Sequence, residues 1–218
     1  MRFVLSFSGG KDSVLSLHQM IEAGHEPAAL LVMYRPEEGR SWTHGIDGEL
    51  LNAVSDALGI PLLRCEASAD CYEDAMKDAL REAKERLNAE ACVFGDIDVE
   101  AHRQWNEARC AAAGLQAVMP LWGWKREVAV RKLLELGYRC IIKCVRRDLP
   151  ESLLGEPLSE DVLAELTRCG ADLCGENGEY HTLVVDGPIF RHPVETVNRG
   201  IVRMDHIAAA DLVPISAE

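Results

Sequence analysis

The first 120 residues alternate between short apolar runs and amphipathic stretches, and this rhythm limits the possible folds more than any other feature of the chain. Each apolar run predicts a strand, and each amphipathic stretch has apolar residues at helical spacing. Strands that alternate with helices form parallel βαβ units, with helices on both faces of the sheet. The sequence therefore predicts an α/β fold with a parallel five-stranded sheet. The predicted strands are residues 2–7, 28–33, 60–65, 91–95 and 115–120, and the predicted helices are residues 12–24, 47–58, 71–87 and 98–113.

The rhythm changes after residue 121. A proline- and glycine-punctuated stretch, residues 146–161, interrupts the second half, and strand-like segments then close the chain. We predict a smaller α+β domain over residues 122–218, preceded by a first domain over residues 1–121. Its predicted elements are a helix at 125–136, a strand at 138–145, a short helix at 160–168 and strands within 180–190 and 194–204.

Charge and cysteine content restrict the possible partners and the compartment. The 218 residues include 36 Asp and Glu against 23 Lys and Arg, a formal net charge of −13. Such a chain is repelled by phosphate backbones, so a nucleic-acid partner is not expected. No apolar run reaches the ~18 residues of a membrane span, and glycines and charges follow the first apolar run at once. The eight cysteines form no C-x-x-C pair. These features predict a cytoplasmic protein with reduced, mostly buried thiols.

The segment "SGGKDS", residues 8–13, follows the first predicted strand directly. Aligned with the Walker A pattern G-x-x-x-x-G-K-[ST], it has Leu5 at the first glycine and Asp12 at the magnesium-binding hydroxyl. Neither position matches the pattern, so a kinase-type or GTPase-type phosphate loop is excluded.

The same segment still suits a phosphate group. Gly9 and Gly10 allow a tight turn, Lys11 supplies a positive charge, and the following helix directs its positive end at an anion. Ser8 and Ser13 flank the turn with hydroxyls. The alternative is a tight strand-to-helix turn with a surface lysine.

Several segments resemble known families. "SGGKDS" resembles the pyrophosphate-binding loop of the N-type ATP pyrophosphatases, which cleave ATP between the α and β phosphates and adenylate an acceptor oxygen. "VFGDI" (93–97), "WNEARCAAAGLQAVMPLW" (105–122) and "GENGEYHTLVVDGPIF" (175–190) resemble the diphthine–ammonia ligase family, in order and over nearly the whole chain.

This resemblance implies a HUP-type, Rossmann-like nucleotide domain followed by a smaller domain for the acceptor. It implies ATP and Mg²⁺ as cofactors, AMP formation, free ammonia as the nitrogen source and a carboxylate acceptor, which in the family is a modified histidine of elongation factor 2. A homodimer is possible. The chain departs from the family pattern G-E-G-G-E-[YF]-E-T at Asn177 and His181, so the resemblance leaves the identity of the acceptor open.

Several candidate site residues allow two interpretations, one functional and one structural. Asp96 can contact the nucleotide or its metal, or it can cap the helix that follows. Arg103 can reach the phosphates, or it can join Glu100 and Glu107 in an exposed ion-pair ladder. Glu176 and Glu179 can bind magnesium, hold ammonium or deprotonate the amine, or they can form a polar hairpin tip.

The sequence and the resemblance together predict the following site residues. The predicted catalytic residues are Lys11, Glu176 and Glu179, and the predicted metal ligands are Asp12 and Asp96. The predicted cofactor-binding residues are Ser8, Gly9, Gly10, Lys11, Asp12, Ser13, Met33, His44, Gly95, Asp96 and Arg103. The predicted substrate-binding residues are Glu176, Asn177, Glu179, Tyr180 and His181.

Two other functions remain open on the sequence. A tRNA-thiolating enzyme uses the same loop, but it needs a sulfur-relaying cysteine or a cluster, and a basic surface. A non-catalytic adenine-nucleotide sensor needs neither Lys11 nor the carboxylates of the last motif.

Overall fold

The alternating first half folds as a mostly parallel sheet covered by helices, and the second half adds an antiparallel sheet. The computed structural model describes residues 1–215. The strands are β1 (Arg2–Ser6), β2 (Glu26–Arg35), β3 (Arg40–Ser41), β4 (Leu62–Glu66), β5 (Ala91–Val93), β6 (Gln116–Val118), β7 (Arg139–Arg146), β8 (Tyr180–Asp186), β9 (Thr196–Arg203) and β10 (Ile207–Pro214). The helices are α1 (Lys11–Glu22), α2 (Gly48–Leu58), α3 (Tyr72–Leu87), α4 (Glu100–Ala113), α5 (Arg126–Glu135) and α6 (Glu160–Arg168).

The first sheet has five parallel strands in the order β4-β2-β1-β5-β6. This arrangement confirms the predicted α/β fold class. A sixth strand, β3, pairs antiparallel with the last two residues of β2. It was not predicted because two residues inside a polar loop carry no periodic signal.

Helices cover both faces of this sheet, because successive side chains of a strand point to opposite faces and both faces are apolar. Phe3 and Leu5 of β1 join one buried cluster with α1 and α2, whereas Val4 joins a second cluster with α3 and α4. Helix α2 has residues that favour its start and its end. The Asp47 side chain accepts a hydrogen bond from the Glu49 amide at the start, and Gly59 ends the helix in the left-handed conformation at φ 67°.

The second sheet is antiparallel, in the order β8-β7-β10-β9. The sequence predicted β7, β8 and β9 but not β10, whose alanines at 208–210 have low strand propensity. The larger buried cluster continues from the first half into this sheet through Leu121, Ala129 and Val184. The division of the chain at residue 121 stays a prediction.

The eight cysteines all lie within the described residues and none forms a disulfide. Six are buried, and Cys71 and Cys169 are exposed. Among residues 1–215, no helix combines the length and the apolar character that a membrane crossing requires.

Candidate active site

A cleft of about 560 Å³ opens where the carboxyl ends of β1 and β5 meet the loop that precedes β8. Ligands of open α/β sheets bind at this edge, beyond the carboxyl ends of the strands. Its lining comes from both halves of the chain. The lining residues are Ser6, Ser8, Lys11, Asp12, Ser13, Thr43, His44, Tyr72, Met76, Phe94, Gly95, Asp96, His102, Trp105, Asn106, Cys174, Gly175, Glu176, Gly178, Tyr180, His181 and Thr182.

The two glycines of the loop are required by close packing. Gly9 has φ +75°, and a Cβ there would lie 2.6 Å from Cδ1 of Ile46. A Cβ on Gly10 would lie 2.4 Å from Cε1 of His44. The loop is therefore pressed against the segment that follows β3.

The same loop is hydrogen-bonded to β8. The Lys11 amide donates to Oγ1 of Thr182 at 3.0 Å, and the Val184 amide donates to the Gly9 carbonyl at 2.9 Å. The Gly10 amide donates to Oγ of Ser8 at 3.3 Å. The amides of Gly10 and Lys11 thus have protein partners, and the anion-binding capacity of the loop resides mainly in the lysine side chain.

Lys11 is buried at the floor of the cleft, with 5% of its surface exposed. Its Nζ lies 2.6 Å from Oδ2 of Asp12 and 5.5 Å from the centroid of the Tyr180 ring. Burial acts to lower the pKa of Lys11, but the charge of Asp12 and further interactions hold it well above its ordinary value. The side chain is therefore an ammonium at neutral pH.

Asp12, Cys174 and Glu176 form a group whose ligating atoms all lie within 4.8 Å of one another. The Cys174 thiol donates to Oδ1 of Asp12 at 3.6 Å. Burial, together with the charge of Asp12, raises the pKa of Glu176 to about 7. Two carboxylates that share so small a volume suit a cation. The sequence predicted Asp12 and Asp96 as the metal pair, whereas the structure groups Asp12 with Glu176.

Asp96 lines the cleft at the end of β5. Its carboxylate accepts from Nδ2 of Asn106 at 2.8 Å and contacts Nδ1 of His102 at 3.1 Å. Burial raises the pKa of Asp96 above its ordinary value, against the effect of these two neighbours. Helix α4 has Val99 at its N-cap with no side-chain cap, so the alternative that Asp96 caps this helix is wrong.

Glu179 lies behind the cleft lining, with 4% of its surface exposed. Its carboxylate accepts from the amides of Asp172 (3.2 Å) and Asn177 (3.0 Å), and from Nδ2 of Asn177 (3.0 Å). Burial acts to raise the pKa of Glu179, but these hydrogen bonds together hold it below its ordinary value. Glu179 therefore holds the turn that presents Glu176, and Asn177, where the resembled family has glycine, is one of its partners.

His44 and His181 stack on each other at the cleft wall, with ring centroids 4.5 Å apart and planes 29° apart. Nδ1 of His44 lies 3.1 Å from the Thr182 carbonyl, which can only accept a hydrogen bond. Burial, as the first cause, lowers the pKa of both imidazoles. The pair is neutral at pH 7.

Two predicted nucleotide contacts lie away from the cleft lining. Arg103 pairs with Glu107 at 2.8 Å and lies over the Trp122 ring, 5.1 Å from its centroid. Met33 is buried in the core between the sheet and α3, and its carbonyl accepts from the Trp42 amide. The other predicted residues outside the lining are Gly9, Gly10, Asn177 and Glu179, whereas Ser8, Lys11, Asp12, Ser13, His44, Gly95, Asp96, Glu176, Tyr180 and His181 all line it.

One end of the cleft is aromatic and apolar, and the sequence did not predict it. Tyr72, Met76, Phe94 and Trp105 line this end, with the rings of Tyr72 and Trp105 6.3 Å apart. Tyr72 and Met76 have the helical spacing of core residues, and such spacing does not distinguish a core from a cleft wall. Their position at the carboxyl edge of the sheet was the available signal.

Residues 1–117 match the family model described as "Diphthamide synthase N-terminal domain", and residues 125–207 match "Diphthamide synthase C-terminal domain". The chain is 30% identical to the diphthine–ammonia ligases of Bos taurus and Homo sapiens, over 89% of this chain and 82% of those proteins. It is 27% identical to that of Schizosaccharomyces pombe, over 93% of this chain and 37% of the longer protein.

A solved structure from Methanocaldococcus jannaschii, described as a predicted subunit of tRNA methyltransferase, aligns with 89% of this chain and all of its own. The identity is 16% and the TM-score is 0.45.

Proposed function

Because the chain belongs to the diphthamide synthase family, we propose that it is an ATP-dependent ligase that forms an amide from a carboxylate and ammonia. The single observation that carries the proposal is the grouping at the cleft floor. Lys11 and Asp12 from the amino-terminal loop lie beside Glu176 from a loop more than 160 residues away. A cation and two carboxylates so placed suit the phosphates and the metal of a nucleotide.

The two ends of the cleft support one orientation of ATP. The adenine fits the aromatic end formed by Tyr72, Phe94 and Trp105, because aromatic and apolar surfaces suit a flat ring. The phosphates then lie toward Lys11. His44 and His181 line the same cleft.

Mg²⁺ fits the group formed by Asp12 and Glu176, because it prefers carboxylate oxygens and water. The Cys174 thiol is a soft donor and a poor ligand for this ion. When bound there, the ion would neutralise part of the phosphate charge.

The proposed reaction has two steps, adenylation of the acceptor and its amidation. A carboxylate oxygen of the acceptor attacks the α-phosphorus, and the bond to pyrophosphate breaks. Ammonia then attacks the acyl carbon, AMP leaves with its bonding electron pair, and the nitrogen loses a proton. Lys11 holds the leaving pyrophosphate, and the cleft holds the acceptor and the nucleotide next to each other.

The named relatives are diphthine–ammonia ligases, so diphthine, the modified histidine expected on elongation factor 2, is the first acceptor to test. His181 stands where the resembled family has glutamate, so the acceptor meets a neutral imidazole pair. Glu179 is occupied by the turn, which leaves Glu176 or the imidazoles to accept the proton from the amine.

The competing functions are less well supported. Of the eight cysteines only Cys174 lines the cleft, which gives a sulfur relay no second thiol there. A nucleotide sensor has no need of the charged floor formed by Lys11, Asp12 and Glu176.

The test is pyrophosphate release by the purified chain with ATP, Mg²⁺, ammonium and a diphthine-bearing acceptor. Lys11→Ala removes one charge-assisted contact worth ~1.5–3 kcal/mol, so we expect turnover to fall about 10- to 100-fold. Lys125→Ala is the matched control, since Lys125 is exposed and lies outside the cleft lining. Unchanged turnover in Lys11→Ala would refute the role of the loop. ATP binding without turnover on any carboxylate would favour the sensor.

A further inference from the structure

Arg126, the first residue of α5, bridges two loops that reach the cleft. Its Nε and Nη2 donate to the two carboxylate oxygens of Asp98 at 2.7 and 2.8 Å, and its Nη1 donates to Oδ2 of Asp172. Asp98 lies two residues after Asp96, which lines the cleft. Asp172 begins the turn at residues 172–179, which we call the Glu176 turn. A single guanidinium therefore joins the loop after β5 to the turn before β8.

Asp172 connects this bridge to the cleft floor. Its Oδ1 accepts from the Cys174 amide at 2.9 Å, and its own amide donates to Oε1 of Glu179 at 3.2 Å. Cys174 and Glu179 lie on either side of Glu176 in the chain. Both ends of the segment that carries Glu176 are thus bound to the residue that the guanidinium holds.

The loop that carries Asp98 is held in two places. The Gly123 amide donates to the Ile97 carbonyl at 2.8 Å, and Asp98 accepts two parallel hydrogen bonds from Arg126. Such a bidentate pair restricts orientation as well as distance. These hydrogen bonds hold the pKa of Asp98 below its ordinary value, so its carboxyl group is ionised at neutral pH.

Arg126 does not itself belong to the cleft lining. All three guanidinium nitrogens have protein partners, and Nη1 has a second one, Oδ1 of Asn177 at 3.4 Å. The Arg126 side chain is 29% exposed and that of Asp172 is 12% exposed, so solvent screens this pair less than a pair at the open surface. The contacts of Arg126 orient the Glu176 turn and leave the nucleotide to the residues of the lining.

We propose that Arg126 is a positioning residue for the cation: by holding Asp98 and Asp172 together, it fixes the Glu176 turn so that Glu176 lies beside Asp12. This inference rests on the proposed function, because the cation that Asp12 and Glu176 would hold is the metal of the nucleotide. Groups that orient metal ligands from behind typically change metal affinity by about 10- to 100-fold when they are removed. Opening the bridge should therefore weaken Mg²⁺ binding.

The first measurement needs neither metal nor turnover. Hydrogen exchange compares the wild type with Arg126→Gln, whose neutral amide cannot bridge two carboxylates. The amides of the Glu176 turn should exchange several-fold faster in the variant, while those of β7 are unchanged. Arg131→Gln is the matched control, because Arg131 lies on the same helix and pairs with Glu127 and Glu160 outside the bridge. Equal exchange of the turn in Arg126→Gln and the wild type overturns the inference.

The second measurement is the affinity for Mg²⁺ by calorimetric titration in the presence of α,β-methylene ATP, which the proposed reaction cannot cleave. We expect the affinity to fall about 10-fold in Arg126→Gln and to stay unchanged in Arg131→Gln. Arg126→Lys keeps the charge but lacks the planar fork, so it should resemble Arg126→Gln. Unchanged affinity in Arg126→Gln, or full affinity in Arg126→Lys, overturns the inference.

Asp98→Asn opens the bridge from its other side and should weaken Mg²⁺ binding to a similar extent. In the double variant with Arg126→Gln the two losses should not add, because they break the same contact. Additive losses overturn the bridge. Thermal unfolding verifies that each variant is folded.

Turnover separates this role from a general loss of structure. The KM for Mg-ATP should rise about 10-fold in Arg126→Gln while kcat changes less, because the bridge acts on binding. A fall in kcat at unchanged KM overturns the inference and leaves the proposed function intact. A wild-type chain that binds no Mg²⁺ with the nucleotide refutes the metal site of the proposed function and this inference with it.

Discussion

Replacing Glu176 by glutamine should stabilise the protein, because this carboxyl is held in an unfavourable place. Burial and the nearby charge of Asp12 raise the pKa of Glu176 to about 7, from 4.5 in the unfolded chain. The folded state therefore binds the proton more tightly, so folding is weakened as the pH rises from 4.5 to 7. Below pH 4.5 the carboxyl is protonated in both states and this cost is absent.

The magnitude follows from that difference in pKa. At ~1.36 kcal/mol per pKa unit it corresponds to at most about 3.4 kcal/mol. Glu176 is only partly buried, and solvent screening reduces the effect to about 1–2 kcal/mol. We expect Glu176→Gln to raise the free energy of unfolding by this amount at pH 8, and to leave it nearly unchanged near pH 4.5.

Urea denaturation from pH 4.5 to pH 8 in the presence of a chelator measures the effect. Glu179→Gln is the matched control of opposite sign, because the buried Glu179 accepts hydrogen bonds from Asp172 and Asn177. It should destabilise the protein at neutral pH. Mg²⁺ should then stabilise the wild type but not Glu176→Gln. A stability difference for Glu176→Gln that does not change with pH, or a loss of stability at pH 8, would refute the reasoning.

Two further substitutions test the packing around the cleft and the second sheet. Gly10→Ala should lower the free energy of unfolding by about 1–3 kcal/mol in thermal or urea denaturation, because its Cβ would lie 2.4 Å from Cε1 of His44. Adding His44→Ala should recover part of this loss, and strictly additive effects of the two substitutions would contradict the contact. Lys143 is buried, and its ammonium donates a hydrogen bond to the Ala210 carbonyl. Because burial lowers the pKa of Lys143, Lys143→Met should raise the free energy of unfolding at pH 7 by about 1–3 kcal/mol. The gain should shrink as the pH rises through 10.5, because only above that pH is the wild-type lysine neutral in both states. A Met variant less stable than the wild type at pH 7 would contradict this account.

Local signals were sufficient for most of the fold. The alternation of Phe3, Val4 and Leu5 between two buried clusters is the pattern of a strand covered on both faces, and it was visible as an unbroken apolar run. β3 and β10 were not predicted because their signals are weak. β3 has only two residues, and residues 208–210 of β10 are alanines, which suit helices as well as strands. Which strand pairs with which depends on packing between distant segments, and no local pattern encodes it.

The sequence predicted those cleft residues whose chemistry and whose position after a strand both indicate a phosphate site. Lys11 and Asp12 follow a strand in a glycine-rich turn, and both line the cleft. Tyr72 and Trp105 were missed because a cleft wall and a core use the same apolar residues at the same spacing. Arg103 has the chemistry for a phosphate contact, but its neighbour Glu107 lies one helical turn away and pairs with it.

The turn at residues 172–179 is where a motif alone misleads most. Two glutamates three residues apart suggest equivalent ligands, yet the backbone gives them opposite environments. Glu179 faces inward and collects amide donors that lower its pKa, whereas Glu176 faces Asp12 and has its pKa raised. Asn177 has two roles in this division, because its side chain donates to Glu179 and accepts from Arg126. A carboxylate that keeps a turn in shape and a carboxylate available to a cation are therefore distinguished by their hydrogen-bond donors, and those donors come from the folded backbone rather than from the motif.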